Sequence, residues 1–85
     1  MTVKITQEKM VMLGRVVRFH RKKARLSAGQ LALIAGIGKT SIYDMEQGKS
    51  GCRLETLLAI AEALNISILL DGPLMTEFED GDAAH

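Results

Sequence analysis

Two helical periodicities meet at Gly36-Ile37-Gly38, and that junction limits the fold of this chain more than any other feature. On its N-terminal side Ser27 is followed three residues later by Gln30. This is a capping box, in which each side chain satisfies an orphan backbone N–H at a helix start. Leu31, Ala32 and Ala35 then give that helix an inner face. Glycine at 36 supplies the positive φ that ends it. Beyond the turn the spacing predicts a further helix over 39–47, with Ile42 and Met45 inward, stopped by Gly48. A helix, a short glycine turn and a second helix make a helix-turn-helix.

The same letters, GIGKTS at 36–41, also look like the end of a phosphate-cradling loop. That loop needs its first glycine at position 33, which is Leu33, and a strand where LALIA continues a capped helix. ISILLD, ending at Asp71, does resemble an apolar strand with a Mg²⁺-holding Asp. A parallel sheet covered on both faces nevertheless needs well over the 85 residues available. The nucleotide-enzyme reading is set aside.

The flanks extend an all-α reading. A long helix is predicted over 7–24, with Thr6 as its N-cap and Met10, Leu13, Val17, His20 and Ala24 as the buried stripe. Arg15, Arg18, Lys22 and Lys23 point away from that stripe, and Arg21 sits at its edge. His20 is expected as a satisfied core histidine. KSGCR at 49–53 reads as a loop, and a fourth helix follows over 54–64 with Leu54, Leu57, Leu58, Ala61 and Leu64 inward. ISILL, 66–70, is β-branched and reads as a short strand ended by Asp71-Gly72-Pro73. A lone strand needs a partner, either VKI at 3–5 or the same strand of a second subunit. The expected divisions are a helical domain over 7–64, a strand segment over 65–73 and an acidic disordered tail over 74–85.

Charge is sorted along the chain. All 11 Lys and Arg lie at or before Arg53, against only Glu8, Asp44 and Glu46, which leaves residues 1–53 at +8. The remainder carries seven carboxylates and no cation. Such a split suits either a polyanionic partner or solvated helix faces that sort by sign. The single cysteine, Cys52, excludes an internal disulfide or a cysteine metal site and points to a reducing compartment. With His20 and His85 the only histidines, neither a metal cluster nor a nucleophile–base–orienter set can be assembled. No cofactor and no enzyme activity are expected. No apolar run approaches the roughly 18 residues of a membrane helix, and the first residues lack a signal-peptide core. A cytoplasmic location is the expectation, with no membrane partner.

From Leu26 the chain reads LSAGQLALIAGIGKTSIYDMEQGK. Its small residue at Ala32, turn glycine at Gly36, buried aliphatic at Ile42 and closing EQGK resemble the Cro and phage-repressor (Xre-type) helix-turn-helix family across residues 13–64. The resemblance implies a lambda-repressor-like bundle of four to five helices that binds double-stranded DNA. It places Lys39 and Thr40 at base edges, with Tyr43 and Asp44 one turn on. Lys39 can donate to guanine, and Thr40 can offer its hydroxyl or methyl. Asp44 can accept from cytosine or join a surface salt bridge. Ser41 is expected at phosphate, and Gln47, Lys49 and Arg53 along the backbone. Where the family has Gln, this chain has Ala28, so Ser27 and the backbone at that helix start would supply the phosphate contact. Arg21 and Glu46 match a pair that ties the first helix to the third.

The NISILLDGP segment further resembles the HipB-type antitoxins. That resemblance implies a homodimer whose strands pair across a two-fold axis, a HipA-type kinase toxin as partner, and repression of a shared operon. Ile66, Ile68 and Leu70 would form the dimer contact, which would also cover an open apolar edge. The competing function is a protein-interaction module that binds a partner without recognising an operator.

Overall fold

Residues 1–78 are described here by a computed structural model. Four helices follow a single 3-10 turn at Gln7–Lys9: α1 (Met10–Lys23), α2 (Ala28–Ala35), α3 (Lys39–Glu46) and α4 (Leu54–Ala63). Their stops are built into the backbone. Gly36 closes α2 at φ 72°, and Gly48 follows α3 at φ 73°. The α1–α2 and α4 ends use Arg25 (φ 59°) and Asn65 (φ 58°) in the same left-handed region. Asn tolerates that region, whereas Arg there is uncommon.

Each helix sends a side chain to one shared core. Leu31, Ile42 and Ile60 are fully buried, and Val17 and Met45 almost so. Complete burial of such a side chain contributes roughly 1.5–3 kcal/mol, so these five anchor the bundle. α3 packs on both α1 and α2, and α4 packs on α2. Two glycines let α1 lie close against α3 and the loop behind it. A Cβ on Gly14 would collide with the carbonyl oxygens of Met45 and Glu46, the latter at 2.7 Å. A Cβ on Gly48 would stand 2.7 Å from Val11 Cα.

Several expectations are corrected. The first helix does not run regularly from residue 7, and Thr6 makes no side-chain capping bond. His20 and Ala24 are exposed, because on the last turn of α1 the side facing α3 is taken by Arg21. His20 Nδ1 instead lies 2.7 Å from the Val16 carbonyl oxygen on its own helix. On α4 the buried face is rotated. Leu54 (67% exposed) and Leu58 (45%) face outward, while Ile60 takes the centre beside Ala61 and Leu64.

The strand expected at 66–70 is not formed among the described residues, and VKI at 3–5 provides no ladder. Only Ile66 is tied down, its N–H donating to the Ala61 carbonyl at 2.8 Å, while Ile68, Leu69 and Leu70 are exposed. Residues 72–78 form successive turns. The rest of the expected acidic tail, 79–85, lies outside the described residues.

Candidate nucleic-acid interface

The second helix of the motif begins without a side chain in front of it. Its N-cap is Gly38, which makes no capping bond, and a Cβ there would meet nothing within 4 Å. By contrast α2 is fully capped: Gln30 N–H donates to Ser27 Oγ at 3.0 Å, and Ser27 N–H donates to Gln30 Oε1 at 2.7 Å. The Lys39 side chain reaches from the start of α3 to the start of α2. A Cβ on Gly29 would sit 3.9 Å from Ser27 Oγ and 4.0 Å from Lys39 Cδ. Both positive ends of the helix macrodipoles therefore open onto one patch of surface.

Around that patch the expected site residues fall into two groups. Lys39, Thr40 and Tyr43 are exposed on the leading turns of α3. The Lys39 ammonium stands 5.6 Å from the centroid of the Tyr43 ring, a cation–π distance that steadies a long side chain. Ser41, Asp44, Lys49 and Arg53 line an open depression of about 340 Å³ between α3, the following loop and the start of α4. Within it Lys49 Nζ pairs with Asp44 Oδ1 at 3.2 Å, so the salt-bridge alternative for Asp44 is the one seen. Arg53 reaches only a distant partner, Glu55 Oε1 at 3.9 Å, and both side chains are almost fully solvated. Gln47 is exposed just past the end of α3.

At the other end of α3, Arg21 and Glu46 lock α1 to α3. The guanidinium grips the carboxylate through Nε and Nη2, and its Nη1 donates to the Leu26 carbonyl at 2.9 Å. The two side chains are only 11% and 6% exposed. The hydrogen bond to Glu46 holds the Arg21 guanidinium even above its ordinary range, against an opposing cost of burial.

Sequence reading did not place Cys52 in this surface. It is exposed on the wall of the depression, with Sγ 3.4 Å from the Arg53 carbonyl oxygen. Burial pushes its thiol pKa up, with a backbone hydrogen bond from Leu57 working the other way. Among the described residues no group of His, Cys, Asp and Glu is arranged to hold a metal ion, and no helix is long and apolar enough to cross a membrane.

This arrangement of α2, glycine turn and α3 agrees with comparison to known proteins. The sequence profile of the helix-turn-helix family matches residues 17–70. The chain belongs to the helix-turn-helix family. Among similar proteins, this helix-turn-helix chain is 34% identical over 61 residues to an uncharacterized HTH-type transcriptional regulator, y4mF of Sinorhizobium fredii, covering 72% of this chain and 80% of that one. It is 39% identical over 56 residues to the control protein C.SmaI of Serratia marcescens, 66% of this chain and 67% of that one. The crystal structure of the restriction-modification controller protein C.AhdI from Aeromonas hydrophila aligns with a TM-score of 0.65 and 28% identity, over 71% of this chain and 91% of that one. A putative HTH-type regulator of Methanococcus maripaludis is 30% identical over 56 residues, but this chain spans only 17% of its length. The helix-turn-helix protein described here is thus a DNA-binding transcriptional regulator by family, and the proteins of that family regulate rather than catalyse.

Proposed function

We propose that the chain binds a palindromic operator as a homodimer and represses transcription from it. The observation that carries this reading is the open start of α3. Lys39 and Thr40 stand exposed on an uncapped helix end, with the Lys39 side chain reaching the start of α2, while the ion pair at the other end of α3 fixes the helix. Lys39 and Thr40 read bases, with Tyr43 and Asp44 one turn on. Ser27, Ser41, Gln47, Lys49 and Arg53 hold the phosphates, which position the module without choosing sequence.

Apolar surface left open supports the dimer. Ile68 and Leu70 are exposed after α4, and Leu54 and Leu58 form a second exposed stripe on α4 itself. Pairing of the 66–70 segments across a two-fold axis would cover the first of these and satisfy its backbone. Dimers of this motif read half-sites about one helical turn, ~34 Å, apart.

Two regulatory settings fit such a dimer. In one, the chain is the antitoxin of a HipA-type kinase, with the NISILLDGP segment serving dimerisation. In the other, it governs a restriction-modification operon, a reading supported by its similarity to C.SmaI and C.AhdI. A kinase that co-purifies with the chain selects the first. An enriched operator lying upstream of a nuclease–methyltransferase pair selects the second.

Selection of random duplexes by the purified protein tests the core reading. An enriched palindrome whose affinity falls steeply with salt is expected. Absence of any enriched sequence would overturn the operator reading in favour of a protein-interaction module.

A further inference from the structure

No carboxylate occurs between Glu8 and Asp44, a span that holds all of α1, α2 and the first turn of α3. Within α1 this leaves Arg15, Arg18, Arg21, Lys22 and Lys23 without an acidic neighbour on their own helix. Only Arg21 is ion-paired with a described carboxylate. Lys23 belongs to another side of the helix, where its ammonium stands 5.6 Å from the centroid of the Phe19 ring.

The three that remain share one side. At 3.6 residues per turn, Arg15, Arg18 and Lys22 fall within an arc of about 60°, centred on the direction of Val11. All three are exposed. Val11 is the residue against which Gly48 packs, and Gly48 lies between Gln47 and Lys49. Gly14 and Arg21, on the adjoining edge of α1, meet the last residues of α3. The row therefore begins where the α3–α4 loop crosses α1 and runs on past the C-terminal end of α3. Lys39 and Thr40 occupy the opposite end of that helix.

We infer that Arg15, Arg18 and Lys22 form a second set of phosphate contacts, extending the interface along duplex DNA beyond the bases that α3 reads. The inference rests on the proposed operator binding. Charge complementarity, and continuity with Gln47 and Lys49 through the packing of Gly48 on Val11, select the duplex as occupant. The three cations are spread over about 10 Å of helix axis at 1.5 Å per residue. Each strand of a duplex presents a phosphate about every 3.4 Å of its axis, so a row of this length finds acceptors at several registers without reading sequence. These contacts add affinity and salt dependence and leave base choice to α3.

The test uses the full chain and the duplex it selects, extended by one helical turn on each side. Arg15→Gln, Arg18→Gln and Lys22→Gln are combined in one variant, and a second variant carries Arg15→Lys and Arg18→Lys. Affinity is measured by fluorescence anisotropy across a salt series, with melting temperature as a check on folding. Each lost phosphate contact lowers the log–log salt slope by about 0.9, so the triple variant is expected to be shallower by about 2 to 3. Its enriched sequence should stay the same, and the lysine variant should keep the wild-type slope. A folded triple variant with an unchanged slope would overturn the inference. That failure is distinct from failure of operator binding, in which the wild-type chain itself shows no enriched sequence.

Discussion

Arg21 and Glu46, on α1 and α3, meet through two parallel hydrogen bonds, Nε to Oε2 at 2.6 Å and Nη2 to Oε1 at 2.9 Å. The pair is the only polar lock between the first helix and the helix that would enter the groove, among the described residues. Removing one partner leaves the other charge buried. Glu46→Ala is expected to cost about 3 kcal/mol of stability, read by urea unfolding. Arg21→Lys should itself be destabilising, because an ammonium cannot reproduce the two-pronged geometry. The raised Arg21 pKa means its contribution is fully present below the unfolded-state value and fades only in strong alkali. An unfolding midpoint in Glu46→Ala equal to wild type would show the pair to be ornamental.

Gly14→Ala places a methyl group against the Glu46 carbonyl oxygen at 2.7 Å, so α1 and α3 must separate. Overpacking of this kind costs about 1–3 kcal/mol, occasionally more. Both the melting temperature and the operator affinity should fall. Ordinary stability in this variant would mean that the two helices do not sit as close as the structure has them.

Lys39→Glu is expected to leave the fold intact and abolish operator binding. Its side chain is exposed, and surface changes of this sort stay within about ±0.5 kcal/mol. Circular dichroism melting and an electrophoretic mobility shift on the selected duplex separate the two effects. Retention of specific binding would remove Lys39 from the interface.

Ile68→Glu combined with Leu70→Glu puts like charges on the segment proposed to pair across the two-fold axis. Sedimentation equilibrium should show a dimer for wild type and a monomer for the variant, with loss of binding to the full palindrome. A variant that remains dimeric would shift the contact to the exposed Leu54 and Leu58 of α4.

The Cys52 thiol, held up by burial, should alkylate more slowly than a free thiol at neutral pH. Its rate profile with iodoacetamide should rise at higher pH than that of an unstructured cysteine peptide. Saturating operator should slow the reaction further, because the thiol shares its depression with Lys49 and Arg53. A profile identical to the peptide's would place the thiol in open solvent.

The helix-turn-helix was legible because its signals are local. Ser27 and Gln30 write the start of α2, and Gly36 writes its end. The Arg21–Glu46 pair was legible only through resemblance, since nothing in residue spacing brings α1 onto α3. The phase of α4 was misread for a physical reason. LETLLAIAEAL is apolar on nearly every side, so periodicity admits more than one buried face. The core chose Ile60 over Leu54 and Leu58. His20 failed differently: it keeps the spacing of the stripe, but on that last turn the side facing α3 is taken by Arg21. The end of α1 at Lys23 falls within one residue of the predicted 24, although the left-handed residue there is Arg25 and not a glycine. The partner of 66–70 could not be read at all. A strand's ladder is a property of two segments, and one sequence specifies only its own.

The backbone contact at Gly14 has a consequence for how such a protein diversifies. Because α1 meets α3 main chain to main chain, the tilt of the reading helix does not depend on which side chains α3 carries outward. If the proposed base contacts hold, residues 39, 40, 43 and 44 can be exchanged as a cassette while the chassis stays in place. A new operator is then one short graft away, and the same chassis can be retargeted without being refolded.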